Sequence, residues 1–200
     1  MLGVGFEREV QETLRRIIKP GDLVYDVGAH LGYMTLLFSV LCAPNGHVFS
    51  FEPSPVNYQR LKRNIDLNGE MNVTLVNLAA SDTEGPARIT TEGSCSRIVD
   101  DGGESGEGIL EISTVRLDDF VYRDLHPAPT LAKIDVEGHA GRCLMGMSRI
   151  LESERPSLLI ELHHSEEAMH VARILDGRYA IHDIDSPTRF PRRIIAAAKK

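Results

Sequence analysis

The sequence predicts an α/β domain whose parallel sheet is covered by helices on both faces. Apolar segments typical of strands alternate with amphipathic segments typical of helices from residue 23 to 80 and again from residue 130 to 177. Successive strand and helix units imply right-handed crossovers, and therefore parallel strands. The chain has 200 residues, 42% of them hydrophobic, which suits one domain spanning 1–200 with a sizeable core.

The predicted elements follow one another along the chain. An amphipathic helix in residues 1–20, FEREVQETLRRII, precedes strand LVYDVG and helix YMTLLFSVLC. Strand HVFSFEP then leads through helix PVNYQRLKRNIDLNG to strand NVTLVNLAA. After residue 125 the alternation resumes with strand TLAKIDVEG, helix GRCLMGMSRILES, strand PSLLIELHH, helix SEEAMHVARILDG and the segments YAIHDID and RRIIAAA.

Residues 81–125 interrupt this alternation. They contain the short alternating pieces ARITT, SRIVD and LEISTVRL, and a polar, glycine-rich stretch, DDGGESGEG, lies between the last two. Short strands joined through glycine predict a β-hairpin insertion before the fourth strand of the sheet. We expect its tip, residues 102–108, to act as a mobile lid over the carboxyl ends of the strands.

Charge and cysteine content restrict the partners and the compartment. The net charge is −7 without a long basic run, which argues against a nucleic-acid groove. No apolar run approaches the length of a membrane span, and the N-terminus lacks a secretory pattern. The three cysteines are odd in number and widely spaced, as in a reducing compartment. We therefore expect a cytoplasmic protein without a membrane span or nucleic-acid partner.

The stretch DVGAHLG, after the first strand, carries a carboxylate where a dinucleotide fingerprint would have a small residue. Asp26 and Gly28 suit a ligand with less phosphate and more positive charge, such as S-adenosylmethionine, whose ammonium and sulfonium groups favour a nearby acid. Glu52 follows one helix and one strand later. At the end of the second strand it would accept hydrogen bonds from the ribose hydroxyls.

Five motifs, in this order, resemble the FkbM family of S-adenosylmethionine-dependent methyltransferases: VYDVGAHLGYMT, FSFEPSPVNYQRLKRNI, VRLDDF, AKIDVEGHA and LLIELHH. The resemblance extends over residues 21–164. It implies a Rossmann-like class I methyltransferase fold with a seven-stranded, mostly parallel sheet whose last strand is antiparallel. It also implies methylation of a hydroxyl of a small-molecule acceptor, a sugar, lipid or natural product.

Two positions depart from the family pattern. His30 stands where the family commonly has asparagine, but the ligand would need only its backbone N–H, so we expect binding to survive. Ala140 stands where the family often has a second glutamate, and any role of that acid is missing here.

Two sets of site residues follow from these motifs. The predicted S-adenosylmethionine ligands are Asp26, Gly28, Ala29, His30, Gly32, Tyr33, Glu52, Pro53, Ala79 and Asp135. The predicted catalytic residues follow the fourth and fifth strands of the sheet and are Asp135, Glu137, His139, Glu161 and His163. Tyr33 would place its ring near the sulfonium, or pack on the sheet instead.

The acceptor hydroxyl can lose its proton in three ways. His139 or His163 would act as general base, or the methyl transfer would rely on proximity alone. Alternatively, Asp135, Glu161 and His163 would bind a divalent metal that lowers the hydroxyl pKa. We favour the base, because an octahedral ion requires more acids than the motifs bring together. The alternatives to a methyltransferase are an NAD-dependent oxidoreductase and a non-catalytic S-adenosylmethionine-binding module.

Overall fold

The computed structural model describes residues 8–69, 72–90, 98–99, 108–184 and 187–199. In chain order its elements are α1 (Arg8–Ile17), β1 (Leu23–Val27), α2 (Tyr33–Cys42), β2 (His47–Phe51), α3 (Pro55–Asn68), β3 (Val73–Val76), β4 (Ala79–Ala80), β5 (Gly85–Thr90), β6 (Ile98–Val99), β7 (Ile109–Val115), α4 (Leu117–Tyr122), β8 (Leu131–Ile134), α5 (Ala140–Met145), α6 (Ser148–Ser153), β9 (Ser157–Leu162), α7 (Ser165–Leu175), β10 (Tyr179–Asp183) and β11 (Arg192–Ala198).

Seven strands form the central sheet, in the order β3, β2, β1, β8, β9, β11, β10. The first five are parallel, and β11 is antiparallel to both β9 and β10. This is the predicted mostly parallel, seven-stranded sheet with an antiparallel last strand. Because the carboxyl ends of the parallel strands meet at one edge, the polar residues that follow β1, β2, β8 and β9 are brought together there.

Helices cover both faces of the sheet, as predicted. Consecutive residues of β1 point to opposite faces: Val24 packs with Leu14 of α1 and Phe38 of α2, whereas Tyr25 packs with Phe120 and other side chains from the second face. The second face is covered by α4, α5, α6 and α7. Within the described residues, no helix combines the length and the hydrophobicity needed to cross a bilayer.

The insertion forms a second sheet in the order β4, β7, β5, β6. β5 and β7 pair antiparallel from Gly85 opposite Thr114 to Thr90 opposite Ile109, which confirms the predicted hairpin. Residues 102–107 of the predicted tip lie outside the described residues. The predicted strand over residues 72–80 is divided, because β3 belongs to the central sheet and β4 pairs with β7.

The helix predicted over residues 141–153 is two short helices, α5 and α6, and the single-helix prediction was wrong. Gly146 lies between them, and a Cβ there would be 1.9 Å from the carbonyl oxygen of Ser81. The buried carboxylate of Asp118 accepts hydrogen bonds from the backbone N–H groups of Arg149 and Ile150. An acid supplied by α4 therefore starts α6 as a separate helix.

Candidate active site

The glycine turn after β1 adopts a conformation that requires glycine. Gly28 has a φ of +80°, and a Cβ there would lie 1.8 Å from the carbonyl oxygen of Asp135. Gly32 has a φ of +87°, and its Cβ would lie 2.4 Å from Leu61 Cδ1. The first glycine thus lets β1 and β8 end side by side, and the second lets α3 pack under the turn.

Glu52 is held at the end of β2 by backbone donors. Its Oε2 accepts from the His30 N–H at 2.8 Å, and its Oε1 accepts from the Ser54 N–H at 3.0 Å. The side chain is buried, with the residue 5% exposed. Burial raises the pKa of Glu52 above its ordinary value, and the hydrogen bonds from Ser54 and His30 oppose that increase.

A cavity of about 260 Å³ opens beside this carboxylate. Its apolar wall includes Leu78, Ala79 and Val136, and Ile89 and Ile98 extend this wall from the small sheet. Six predicted cofactor ligands line it: Gly28, His30, Glu52, Pro53, Ala79 and Asp135. An apolar wall beside one buried carboxylate suits a nucleoside, whose base is largely apolar and whose ribose carries hydroxyl donors.

Asp26 does not line this cavity, contrary to the prediction that it meets the cofactor directly. It is fully buried beneath the turn. Its Oδ2 accepts from Thr35 Oγ1 at 2.6 Å, and its Oδ1 lies 3.4 Å from Lys133 Nζ. Because Asp26 lies in the interior of β1, one residue before the strand ends, its side chain contacts the neighbouring strand instead of the open edge.

Three further predicted ligands also lie outside the described lining of the cavity: Ala29, Gly32 and Tyr33. Ala29 is buried against Leu61, so it supports the turn. Tyr33 is 44% exposed, and its hydroxyl accepts a hydrogen bond from Gln11 Nε2 at 2.7 Å. Tyr33 thus bonds to α1 from the start of α2, and neither expected position of its ring, near the sulfonium or on the sheet, is confirmed.

Lys133 is a site residue that the motifs did not single out. It is buried in β8, and its Nζ lies 3.4 Å from Asp26 Oδ1 and 3.3 Å from Asp135 Oδ2. Burial lowers the pKa of this lysine, but the charges of Asp135 and Asp26 outweigh burial and raise it overall. A lysine within the apolar run LAKI was the available signal, because a buried lysine requires an acidic partner.

Carboxylates surround His163 after β9. Its Nε2 lies 3.3 Å from Glu137 Oε2, 3.6 Å from Asp135 Oδ1 and 3.9 Å from Glu161 Oε1. Four of the five predicted catalytic residues are therefore clustered. Ligand atoms of Asp135, Glu161 and His163 lie within 4.8 Å of one another, as the metal alternative requires.

The protonation of this cluster differs from that of free side chains. Burial lowers the pKa of His163, but the nearby carboxylate of Glu167, 3.6 Å from Nδ1, and the charges of Glu137 and Asp135 raise it overall. Burial and the charge of Asp135 raise the pKa of Glu161 to about 7. His163 therefore retains its proton to higher pH than an ordinary histidine, which makes it a weaker candidate for a base at neutral pH.

Glu167 of α7 is a second residue that the motifs missed. Its buried carboxylate accepts from the His163 N–H at 2.7 Å and from the Ala140 N–H at 3.0 Å. It therefore ties the segment after β9 to the start of α5. Glu167 stands three residues after His164, the N-cap residue of α7, and this is the spacing of helix-capping acids. That spacing was the available sequence signal.

His139 lies apart from the carboxylate cluster. Its Nε2 is 2.9 Å from Ser81 Oγ, whose hydroxyl donates to Asp82 Oδ1 at 3.1 Å. It lines the cofactor cavity, and it also lines a second, adjoining cavity of about 500 Å³. Of the two histidines predicted as bases, His139 is the one that borders both cavities.

Comparisons with known proteins match this chain to one family. The methyltransferase FkbM domain family matches residues 26–184. Hexuronic acid methyltransferase AglP of Haloferax volcanii is 28% identical over an aligned length of 174 residues, with 84% of this chain and 67% of the relative covered. The 31-O-demethyl-FK506 methyltransferase FkbM of Streptomyces tacrolimicus is 28% identical over 191 residues, covering 80% of this chain and 73% of the relative.

Solved structures show the same fold. Methyltransferase FkbM from Methylobacillus flagellatus KT superposes with a TM-score of 0.64 at 22% identity, over 88% of this chain, which spans 43% of that larger protein. Aeropyrum pernix fibrillarin, which carries bound S-adenosylmethionine, superposes with a TM-score of 0.58 at 16% identity, over 94% of this chain and 73% of that one. The chain therefore belongs to the methyltransferase FkbM domain family and is an S-adenosylmethionine-dependent methyltransferase of the class I fold.

Proposed function

We propose that this protein transfers the methyl group of S-adenosylmethionine to a hydroxyl of a sugar or natural product. One observation carries the cofactor assignment: Glu52 is buried and held by two backbone donors at the edge of a partly apolar cavity. The names of the two relatives, a hexuronic acid methyltransferase and a methyltransferase of the natural product FK506, support the acceptor class.

The residues that line the cavity fit this cofactor. Glu52 is placed to accept the ribose hydroxyls, the apolar wall with Ala79 and Ile89 accommodates the adenine, and the Gly28 turn and Asp135 face the methionine end. When bound, the cofactor supplies an electrophilic methyl group, which forms a bond to the acceptor oxygen as the bond to sulfur breaks. Asp26 is not a ligand in this arrangement. It pairs with Lys133, which donates a hydrogen bond to the carbonyl oxygen of Gly28 and so holds the turn.

His139 is the base in this proposal. It borders both cavities, and the Asp82 and Ser81 pair fixes the orientation of its ring. Because the Ser81 hydroxyl donates its hydrogen to Asp82, His139 Nε2 carries a proton and donates to Ser81 Oγ. The proton of the acceptor hydroxyl therefore passes to Nδ1 as the oxygen takes the methyl group. General-base catalysis of this kind contributes a factor of roughly 10² to 10⁴ in rate.

The carboxylate cluster is the alternative, as a divalent metal site. Asp135, Glu161 and His163 have the required proximity, and Glu137 adds a further oxygen donor nearby. However, Lys133 Nζ already lies 3.3 Å from Asp135 Oδ2, and the pKa of His163 is raised. Because the Lys133 ammonium already balances part of the negative charge of these acids, we retain the base.

The insertion, residues 81–125, is proposed to close over the bound cofactor. The support comes from Ile89 of β5 and Ile98 of β6, which line the cofactor cavity. Apolar side chains from a separate small sheet would shield the reacting groups from water when the cavity is filled.

Calorimetric titration with S-adenosylmethionine and with NAD tests the cofactor assignment. We expect binding of the first and none of the second. Incubation with labelled S-adenosylmethionine and a panel of hexuronic acids, neutral glycosides and macrolides then tests the reaction. Binding without transfer to any acceptor class would favour the non-catalytic module, and binding of NAD alone would reject the proposal.

A further inference from the structure

The second cavity, of about 500 Å³, lies between the start of α5 and the first turns of α7. It shares Glu137, His139 and Ile98 with the cofactor cavity. A group bound in one cavity therefore meets a group bound in the other at Glu137 and His139. This is the arrangement that a transfer between two bound molecules requires.

We infer that this second cavity is the acceptor subsite and that it selects a hydroxyl-rich ring, such as a sugar, over an apolar alcohol. The inference rests on the proposed function, because it needs the cofactor in the first cavity. Within that function, the residues around the second cavity recognise the acceptor and select for its hydroxyl groups.

The side chains around the second cavity differ from those around the first. Among the described residues that line it, three are histidines and five are other ionisable residues, whereas the apolar ones are Ile98 and Met145. Ligand sites for apolar molecules have mostly hydrophobic walls. The imidazoles and carboxylates of this wall, together with Arg142, offer both hydrogen-bond donors and acceptors. A hydroxyl group can pair with either, because it both donates and accepts.

The hydrogen bonding of His164 fixes which nitrogen can serve the acceptor. The backbone N–H of Glu167 donates to His164 Nδ1 at 3.2 Å, so Nδ1 carries no proton. In the neutral ring the proton is therefore on Nε2. Nε2 lies next to Gly138, where a Cβ would be 3.1 Å away, and both residues line the second cavity. His164 thus presents one N–H donor to an acceptor oxygen.

Two glycines, Gly138 and Gly141, line the second cavity beside histidine rings. A Cβ on Gly138 would meet the His164 ring at 3.1 Å, and a Cβ on Gly141 would meet His170 Nδ1 at 2.4 Å. Both imidazole rings therefore pack directly against the glycine backbone, where a side chain would not fit without displacing the ring. Because the obstacle at Gly141 is an exposed side chain that can rotate, Gly141→Ala should displace His170 and narrow the cavity without unfolding the protein.

The histidines provide built-in probes for the test. We would record the ring resonances of ¹³C-histidine-labelled protein during titration with S-adenosylhomocysteine, and then with methyl β-D-glucopyranoside or cyclohexanemethanol. S-adenosylhomocysteine should shift His30, which lines the cofactor cavity. If His30 and His139 do not respond, the proposed function itself fails.

With S-adenosylhomocysteine bound, the glucoside should shift His139, His164 and His170 and leave His47 and His182 unchanged. Cyclohexanemethanol, which keeps a six-membered ring with one hydroxymethyl group but lacks the ring hydroxyls, should shift them less at the same concentration. A normal response of His30 without a glucoside response at His164 and His170 would overturn the subsite. An equal or larger response to cyclohexanemethanol would overturn its selectivity.

His164→Asn is the matched variant, because asparagine retains an acceptor for the first turn of α7 but lacks the Nε2 donor. We expect the dissociation constant of the glucoside to rise about 2- to 10-fold, the value of one hydrogen bond. Gly141→Ala should also weaken glucoside binding. Both variants should bind S-adenosylhomocysteine like the wild type, and unchanged glucoside affinity in both would overturn the inference.

Discussion

Lys133 Nζ donates a hydrogen bond to the carbonyl oxygen of Gly28 across 2.8 Å, and thereby joins β8 to the turn that borders the cofactor cavity. The same ammonium group pairs with Asp26 and Asp135. Asp26 lies beneath the turn and Asp135 at the cavity. One buried charge therefore balances an acid on each side and holds the turn between them.

Replacing this lysine should destabilise the protein strongly. Lys133→Met leaves the carboxylate of Asp26 buried without its cationic partner, so we expect the free energy of unfolding at pH 7 to fall by about 3 to 5 kcal/mol in urea denaturation. The exposed pair of Lys62 and Asp66, at 3.0 Å, is the matched control, and Lys62→Met should cost less than about 1 kcal/mol. Adding Asp26→Asn to Lys133→Met should recover part of the loss. Equal costs for the two lysine variants would contradict the pairing.

Glu52 should determine cofactor affinity. Glu52→Ala removes the proposed acceptor of the ribose hydroxyls, and we expect S-adenosylmethionine to bind about 1.5 to 3 kcal/mol more weakly in calorimetry. Glu111 on β7 is exposed, and Glu111→Ala should leave the affinity unchanged. Because Glu52 also accepts two backbone N–H groups, circular dichroism must show that the variant is folded. Wild-type affinity in a folded Glu52→Ala protein would reject the assignment.

Turnover should persist in excess EDTA. If His139 is the base, the rate should rise with pH as its imidazole loses a proton, because only the neutral ring can accept the proton of the hydroxyl. His139→Ala should flatten this rise and lower kcat by roughly 10² to 10⁴. Glu161→Gln should retain the rise of the rate with pH. Loss of turnover in EDTA that magnesium or manganese restores would instead identify Asp135, Glu161 and His163 as metal ligands.

The raised pKa of Glu161 has a consequence for stability. Its ordinary pKa is 4.5, and in the folded protein it is about 7 because of burial and the charge of Asp135. The folded state therefore binds this proton more tightly than the unfolded chain does, and the associated stability, complete below pH 4.5, is lost as pH rises towards 7. We expect Tm to fall less between pH 5 and pH 8 in Glu161→Gln than in the wild type. An equal fall of Tm in the variant and in the wild type would contradict this link between the pKa of Glu161 and stability.

Amide hydrogen exchange should report closure of the insertion. Because Ile89 and Ile98 line the cofactor cavity, we expect amides of β5 and β6 to exchange more slowly when S-adenosylhomocysteine is bound. The edge strand β10, at the far end of the central sheet, should exchange at the same rate with and without ligand. Equal exchange of β5 and β6 in both states would mean that the insertion does not cover the ligand.

The sequence alone determined the sheet and which strand ends meet at one edge of it. Alternating strand and helix patterns admit few topologies once crossovers are right-handed, and the polar residues at strand ends must then share one edge. For this reason Gly28, Glu52 and Asp135 were predicted together, and the structure places all three at one cavity. Short-range signals also sufficed for the hairpin, because β5 and β7 pair regularly.

The tertiary structure decided which of these side chains face the cavity and which serve one another. Asp26 pairs with Lys133, more than one hundred residues away along the chain, and His163 lies among acids that follow β8 or belong to β9 and α7. His139, only two residues beyond Glu137, instead lies beside Ser81. A motif gives residue types and spacing, but the direction of a side chain and the charge of its neighbours depend on packing between distant segments, and those two quantities set pKa and ligand access.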